Sequence, residues 1–176
     1  AGPAFEGARI SCGMRGTHGA IEKVVLNGDV RLEVIGNTEA VGLCGSGLID
    51  LMAELLQQGL VTPDGQMLPP GEWPRGLAPA LAARVRRDED GNTRFVLADA
   101  PAHGGGAEVA FTQRDVREVQ LGCGAIRAGI ALLLRLAGLF EGSALPPTDP
   151  QHGYMLAVGR ARCSFYSGAP GANVVG

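Results

Sequence analysis

The feature that most constrains the fold is a long helical repeat of apolar residues in the C-terminal half of the chain. From position 112 to about 138, apolar side chains recur at alternating steps of three and four: Val116, Val119, Cys123, Ile126, Ile130, Leu133 and Ala137. This spacing places them on one face of an α-helix. Thr112 and Asp115 precede the repeat as a T-x-x-D capping box, with Asp where Glu or Gln is usual. The pattern predicts a helix over 112–138 that is buried along its Val119–Ile130 face.

Three glycines interrupt this helix, and each costs up to ~1 kcal/mol relative to alanine. They are Gly122, Gly124 and Gly129. Their presence in so regular a repeat predicts that the helix packs closely against another backbone.

The rest of the chain predicts strands and one further main helix. Strands over 20–27 and 30–36 flank Asn27-Gly28, a strong hairpin signal. A second helix begins near Ser46, which is a suitable N-cap, and Gly59 fits the left-handed position after its end. Its apolar stripe comprises Leu48, Leu51, Met52 and Leu55. A short helix over 77–85 and strands over 93–99 and 154–158 complete an α/β pattern.

Composition narrows the function classes. The net charge of −3 and the lack of a basic stripe argue against nucleic-acid binding, and no apolar stretch is long enough for a membrane span. The chain has 28 glycines in 176 residues, about twice the usual ~7%. Such a surplus favours tight turns and close backbone approach, including to phosphates, although a compositional bias toward glycine and alanine explains it equally well.

The four cysteines give no metal-binding pattern. They stand far apart, without a C-x-x-C pair, so neither a zinc ribbon nor a ferredoxin-type cluster is predicted. Reduced, mostly buried thiols in a cytoplasmic protein are the expectation.

Three segments together resemble the C-terminal domain of the reductive activators of corrinoid-dependent enzymes. They are AGPAFEGARISCGMRGTHGAIE (1–22), GLCGSGLIDLMAELLQQGLV (42–61) and FTQRDVREVQLGCGAIRAGIALLLRLAGL (111–139). The resemblance implies an ATPase fold of the acetate-and-sugar-kinase, heat-shock-cognate and actin type. Residues 1–158 are then a partial actin-like, ribonuclease H-like lobe with a β-hairpin and two main helices. Residues 159–176 form a Gly-rich tail that does not match the family and is expected to be aberrant or disordered.

The resemblance also implies a function for the parent protein. Such activators use ATP and Mg²⁺ to return an inactive Co(II) corrinoid protein of a methyltransferase system to Co(I). The electron comes from a [2Fe–2S] domain that this chain lacks. The corrinoid protein is the expected partner, and homodimerisation is a second expectation. Two alternatives stay open: a non-catalytic docking or dimerisation module of such a protein, and a relative of sugar or acid kinases.

The same resemblance suggests a nucleotide site. Gly45, Ser46 and Gly47 open a helix, where free N–H groups favour an anion, and Asp50 follows one turn later. Gly2 is a further cofactor-binding candidate. Glu6 is the catalytic candidate, since it could orient water or hold Mg²⁺ through water.

Each candidate also has a structural interpretation. Ser46 fits as a plain helix cap within a tight turn, and Glu6 as a carboxylate that binds its own loop. Related ATPases place a cluster-ligating cysteine in a loop comparable to that of Cys44, but a buried thiol is favoured there. The family's acidic, Gly-rich phosphate motif would lie upstream of Ala1. The chain alone is therefore expected to bind ATP weakly or not at all and to be inactive.

Overall fold

The α/β architecture is confirmed in a computed structural model, which describes residues 7–100, 107–136, 156–159 and 162–165. The elements in chain order are β1 (Ala20–Asn27), β2 (Asp29–Val34), β3 (Gly42–Leu43), α1 (Gly45–Gln57), α2 (Pro79–Arg84), β4 (Val85–Arg87), β5 (Thr93–Ala98), β6 (Val109–Thr112), α3 (Gln113–Leu136), β7 (Leu156–Gly159) and β8 (Arg162–Phe165). The strands form sheets of order β2-β1-β3, β4-β5-β6 and β7-β8. No helix among these residues is long and apolar enough to cross a membrane.

The predicted hairpin is confirmed. β1 and β2 pair antiparallel, with Asn27 opposite Asp29 and Gly28 at the tip in the left-handed region (φ 76°). β3 pairs parallel to the start of β1, which places Leu43 beside Ile21. The two-residue β3 has no signal of its own in the sequence, because so short a strand shows no periodicity.

Helix α1 buries the predicted stripe of Leu48, Leu51, Met52 and Leu55. It ends in the predicted glycine motif. Gly59 has φ 68°, its N–H donates to Leu56 O at 3.0 Å, and Leu60 N donates to Leu55 O at 2.9 Å. This pair of bonds satisfies carbonyls that the helix would otherwise leave open, and it turns Leu60 into the core.

Helix α3 is confirmed over Gln113–Leu136, but its predicted buried face is only half right. Val116, Val119 and Cys123 are buried, whereas Ile126 is half-buried and Ile130 is 38% exposed. Leu132 and Leu133 are also exposed. Among the described residues, the neighbouring elements pack against the first three turns of α3 and leave the following turns exposed.

The prediction that the helix glycines meet another backbone is wrong for two of them. A Cβ atom added at Gly124 or Gly129 would find no atom within 4 Å among the described residues. Both glycines lie on the exposed second half of α3. They therefore carry the helix-propensity cost of glycine without a packing reason among the described residues.

One hydrophobic core joins these elements. It runs from β1 and α1 through β5 and β6 to the first turns of α3, and includes Ile21, Leu51, Phe95, Phe111 and Val116. The predicted short helix and the strand over 93–99 are confirmed as α2 and β5. The short strands β4 and β6, which flank β5, were not predicted. Of the strand predicted over 154–158, the part from 156 is confirmed as β7.

Candidate functional site

The start of α1 is the centre of the predicted site, and it differs from the prediction in one respect. Cys44 is the N-cap residue, with extended backbone (φ −87°, ψ 174°), and Leu48 N donates to Cys44 O at 2.9 Å. Ser46 as the N-cap is therefore wrong, because the helix has already begun at Gly45. The exposed Ser46 hydroxyl lies 3.3 Å from the Cys44 thiol, which in turn donates to Ile21 O at 3.2 Å.

No side chain caps α1, and its first turn contains no acidic residue. The first N–H groups of a helix lack partners within the helix, and the helix dipole makes that end attractive to anions. This end of α1 is pressed onto the sheet, since a Cβ at Gly47 would lie 2.3 Å from Ile21 O. Gly47 thus has a packing role, and the residues that face outward are Gly45 and Ser46.

Asp50 lies one turn further along α1 and lines a small cavity between that helix and β1. The cavity has a volume of ≈ 110 Å³ and is lined by Lys23, Val24, Val25, Asp50, Ala53, Glu54 and Gln57. Ligand pockets are commonly about 300 Å³ or more. A nucleotide does not fit in this space alone.

Side chains in α1 and just after its end bind the β1 backbone beside the cavity. Glu54 accepts from Leu26 N at 3.1 Å, and Gln58 donates to Leu26 O at 3.0 Å. Lys23 on the same strand pairs with Glu33 across the hairpin at 2.6 Å. These contacts give the carboxylate of Glu54 a structural role.

The loop of residues 7–19 is brought to the start of α1 by the tertiary structure. Leu43 N donates to Cys12 O at 2.7 Å, and Met14 N donates to Leu43 O at 3.0 Å. Gly2 and Glu6 lie outside the described residues. The loop that follows them in the sequence nevertheless contacts Leu43, two residues before Gly45.

The loop also contacts a carboxylate on its other side. This carboxylate is not among the residues predicted for the candidate site. Asp115, in the first turn of α3, is fully buried and accepts from Ser11 N at 2.7 Å and from Thr112 N at 2.8 Å. The T-x-x-D pattern predicted the bond within the helix cap. Nothing in the sequence pointed to Ser11, which lies 104 positions away.

The described residues contain no group of three or more histidine, cysteine or acidic side chains that could hold a metal ion. Cys12, Cys44 and Cys123 are not in disulfide bonds, and the latter two are buried. Burial and, to a lesser degree, the charge of Asp115 raise the pKa of the Cys12 thiol to about 12.

Comparisons with known proteins agree with one another. Residues 1–143 match the family described as the C-terminal domain of RACo, the ASKHA domain. The chain is 40% identical over 145 residues to the corrinoid activation enzyme RamQ of Eubacterium limosum, which covers 82% of this chain and 24% of that protein. It is also similar to a solved structure of a reductive activator for corrinoid, iron–sulfur protein, with 36% identity and a TM-score of 0.66. That match covers 80% of this chain and 21% of the other. The chain thus spans about a quarter or less of the relatives it matches.

Proposed function

Because the chain belongs to the family of corrinoid reductive activators, through their C-terminal ASKHA domain, we propose that it is part of an ATP-dependent activator. The parent protein would return an inactive Co(II) corrinoid protein of a methyltransferase system to Co(I). In that step cobalt gains one electron, which a [2Fe–2S] domain outside this chain supplies. ATP, bound with Mg²⁺, supplies the free energy of its hydrolysis.

The observation that carries the nucleotide part of this proposal is the uncapped, acid-free start of α1. Gly45 and Ser46 present backbone N–H groups there, and phosphate oxygens are the acceptors that such helix ends bind. Asp50 would border the same site one turn away. Gly2 and Glu6 remain candidates from residues 1–6, with Glu6 as the residue that would orient water for hydrolysis.

The parent protein is placed in the cytoplasm by this proposal. Cys12, Cys44 and Cys123 form no disulfide bond, which suits a reducing compartment. The corrinoid protein is the proposed partner, and membership of the activator family makes a metabolite kinase the weaker alternative.

The proposal can be tested in a chimaera, in which residues 1–143 of this chain replace the matching segment of RamQ. We expect the chimaera to bind ATP and to convert Co(II) to Co(I) on a corrinoid protein, followed by the visible absorbance of the two cobalt states. Unmodified RamQ is the positive control, and omission of ATP is the negative one. A folded chimaera that neither binds ATP nor produces Co(I) would contradict the proposal.

Two substitutions at Ser46 test its place in the site. Ser46→Ala should leave the free energy of unfolding within about 0.5 kcal/mol, because the hydroxyl caps nothing. Ser46→Asp should stabilise α1 by about 0.3–1 kcal/mol through the helix dipole. It should nevertheless weaken ATP binding by about tenfold or more, because it places a negative charge beside phosphate. Wild-type ATP affinity of the Asp variant, measured by calorimetry in the chimaera, would remove Ser46 from the site.

Homodimerisation is a second candidate function, favoured by the exposed apolar residues on the second half of α3. Leu132 and Leu133 are 58% and 67% exposed, and Leu121 on the same helix is 65% exposed. Two copies of such a face can cover each other around a twofold axis. Sedimentation of the chain should then show a dimer that Leu132→Gln converts to a monomer, and a monomeric wild type would reject this function.

A further inference from the structure

Four hydrogen bonds converge on the carboxylate of Asp115. Two come from Thr112, through its N–H and its hydroxyl, each at 2.8 Å. The other two come from Ser11, through its N–H at 2.7 Å and its hydroxyl at 2.5 Å. The side chain is fully buried, so these bonds replace the water that an ionised carboxylate would otherwise keep. Two of the four bonds come from the cap of α3, and two come from the loop of residues 7–19.

The same loop is fixed on its other side to the strand that feeds α1. Cys12 and Met14 exchange hydrogen bonds with Leu43, at 2.7 and 3.0 Å. The contact is close, since a Cβ at Gly42 would lie 2.7 Å from Cys12 O. Residues 11–14 therefore connect the N-terminal end of α3 to the N-terminal end of α1. An ion pair between Arg9 and Glu118, at 3.8 Å, joins the loop to α3 a second time.

We infer that Asp115 is a positioning residue for the nucleotide site at the start of α1. Its carboxylate holds Ser11, the loop holds Leu43, and Leu43 sets the place from which Gly45 and Ser46 present their N–H groups. This inference rests on the proposed function, because the group being positioned is a site for the phosphates of a nucleoside triphosphate. Asp115 itself does not touch the ligand, and its influence passes through the loop.

The structure offers a matched pair of variants, because Ser11 and Thr112 each donate one hydroxyl to the same carboxylate. Ser11→Ala removes the hydroxyl bond on the loop side. Thr112→Val removes the hydroxyl bond on the helix side and also the acceptor of the Asp115 N–H, at 3.3 Å. Both leave the backbone N–H donors in place. If Asp115 only stabilises the fold, each variant loosens its own side and neither changes the start of α1, whereas a positioning role predicts that the loop-side variant alone changes the site.

The first measurement is hydrogen exchange of the 176-residue chain, which requires no ligand. Ser11→Ala should raise exchange about tenfold at residues 12–14 and 43–48, while exchange in β5 stays unchanged. Thr112→Val should raise exchange at the first turn of α3 alone. Ser11→Thr, which keeps the hydroxyl, should restore the wild-type pattern. Unchanged exchange at residues 43–48 in Ser11→Ala would overturn the inference.

The second measurement is the dissociation constant of ATP in the RamQ chimaera. Ser11→Ala should raise it about five- to twentyfold, a usual range for coupling between sites, and Thr112→Val should leave it within about twofold. Equal effects of the two variants would also overturn the inference. If the wild-type chimaera binds no ATP, the proposed nucleotide site is wrong, and the inference that Asp115 positions that site is rejected with it. Exchange at residues 43–48 then separates the two failures, because a raised value in Ser11→Ala still shows that the loop holds the start of α1.

Discussion

At the scale of single residues, the environment of Cys12 keeps its thiol protonated. Burial is the main cause and the nearby Asp115 carboxylate the second, and together they raise the pKa from 9.0 to about 12. A thiolate is the reactive form of cysteine, and three pKa units lower its fraction about a thousandfold. Ser46, in contrast, is exposed beside a helix end that favours negative charge. Negative charge is thus disfavoured at the Cys12 thiol and favoured at the start of α1, beside Ser46.

Cys12 should consequently resist alkylation. At pH 8 we expect iodoacetamide to label it at least about a hundredfold more slowly than in the urea-unfolded chain, as measured by peptide mass spectrometry. Stability should also depend on pH. Between pH 9 and 12 the unfolded thiol releases a proton that the folded one keeps, so the free energy of unfolding falls as pH rises. Cys12→Ala should remove that part of the decline, and an identical pH dependence in both proteins would contradict this assignment.

At the scale of elements, α3 is one continuous helix with two different environments. Its first turns lie in the core through Val116 and Val119, and its cap binds the loop of residues 7–19. The turn of residues 62–67 also packs there, because Gln113 accepts from Met67 N at 2.7 Å and donates to Gly65 O at 2.8 Å. Beyond Cys123 the exposure of the apolar residues rises. The apolar residues of this repeat therefore contribute to stability mainly in the first turns of α3.

This difference predicts unequal effects of one substitution at two positions on α3. Val119→Asp should cost more than about 3 kcal/mol, because it buries a charge without a partner. Ile130→Asp should cost less than about 1 kcal/mol in the chain, since its site is open to water. Urea denaturation measures both. Equal losses would show that the second half of α3 is covered, for example by a second copy.

A glycine-to-alanine substitution should change stability in opposite directions just after α1 and within α3. Gly59 has φ 68°, and an added Cβ would lie 2.7 Å from Pro74, so Gly59→Ala should destabilise by at least about 1 kcal/mol. Gly124 lies in helical backbone, and no described atom lies within 4 Å of an added Cβ, so Gly124→Ala should stabilise by up to about 1 kcal/mol. The two melting temperatures give the test. A destabilising Gly124→Ala would mean that another backbone packs there.

At the scale of the whole molecule, the loop of residues 7–19 ties the ends of two helices that are far apart in sequence. The proposed nucleotide site comprises one helix start and its adjoining loop, and the cavity beside it has a volume of ≈ 110 Å³. The chain corresponds to 24% of RamQ and 21% of the solved activator. One helix end supplies only part of a phosphate cradle.

We therefore expect the 176-residue chain to bind ATP at least tenfold more weakly than the RamQ chimaera, which contains the rest of an activator. Calorimetry on both proteins under the same buffer and Mg²⁺ concentration makes the comparison. The chain in which Ser46 is replaced by Asp is the matched control for nonspecific binding. Micromolar affinity in the chain alone, lost in that control, would show that the cradle is complete within these residues.

The sequence by itself determined the local structure and the family. Asn27-Gly28 specified the hairpin, Gly59 the end of α1, and the T-x-x-D pattern the cap of α3, because each depends on backbone conformations and bonds within a few residues. The three quoted segments were enough to indicate the corrinoid activators.

The tertiary structure decided what lies beside what. It made Cys44 rather than Ser46 the cap of α1, because the direction in which β3 enters the helix sets the first helical bond. It also set Ser11 against Asp115, and it left Ile130 exposed. The apolar spacing shows which residues share a face of α3, but burial of that face requires a neighbour. In the described part of the chain, neighbours reach only its first turns.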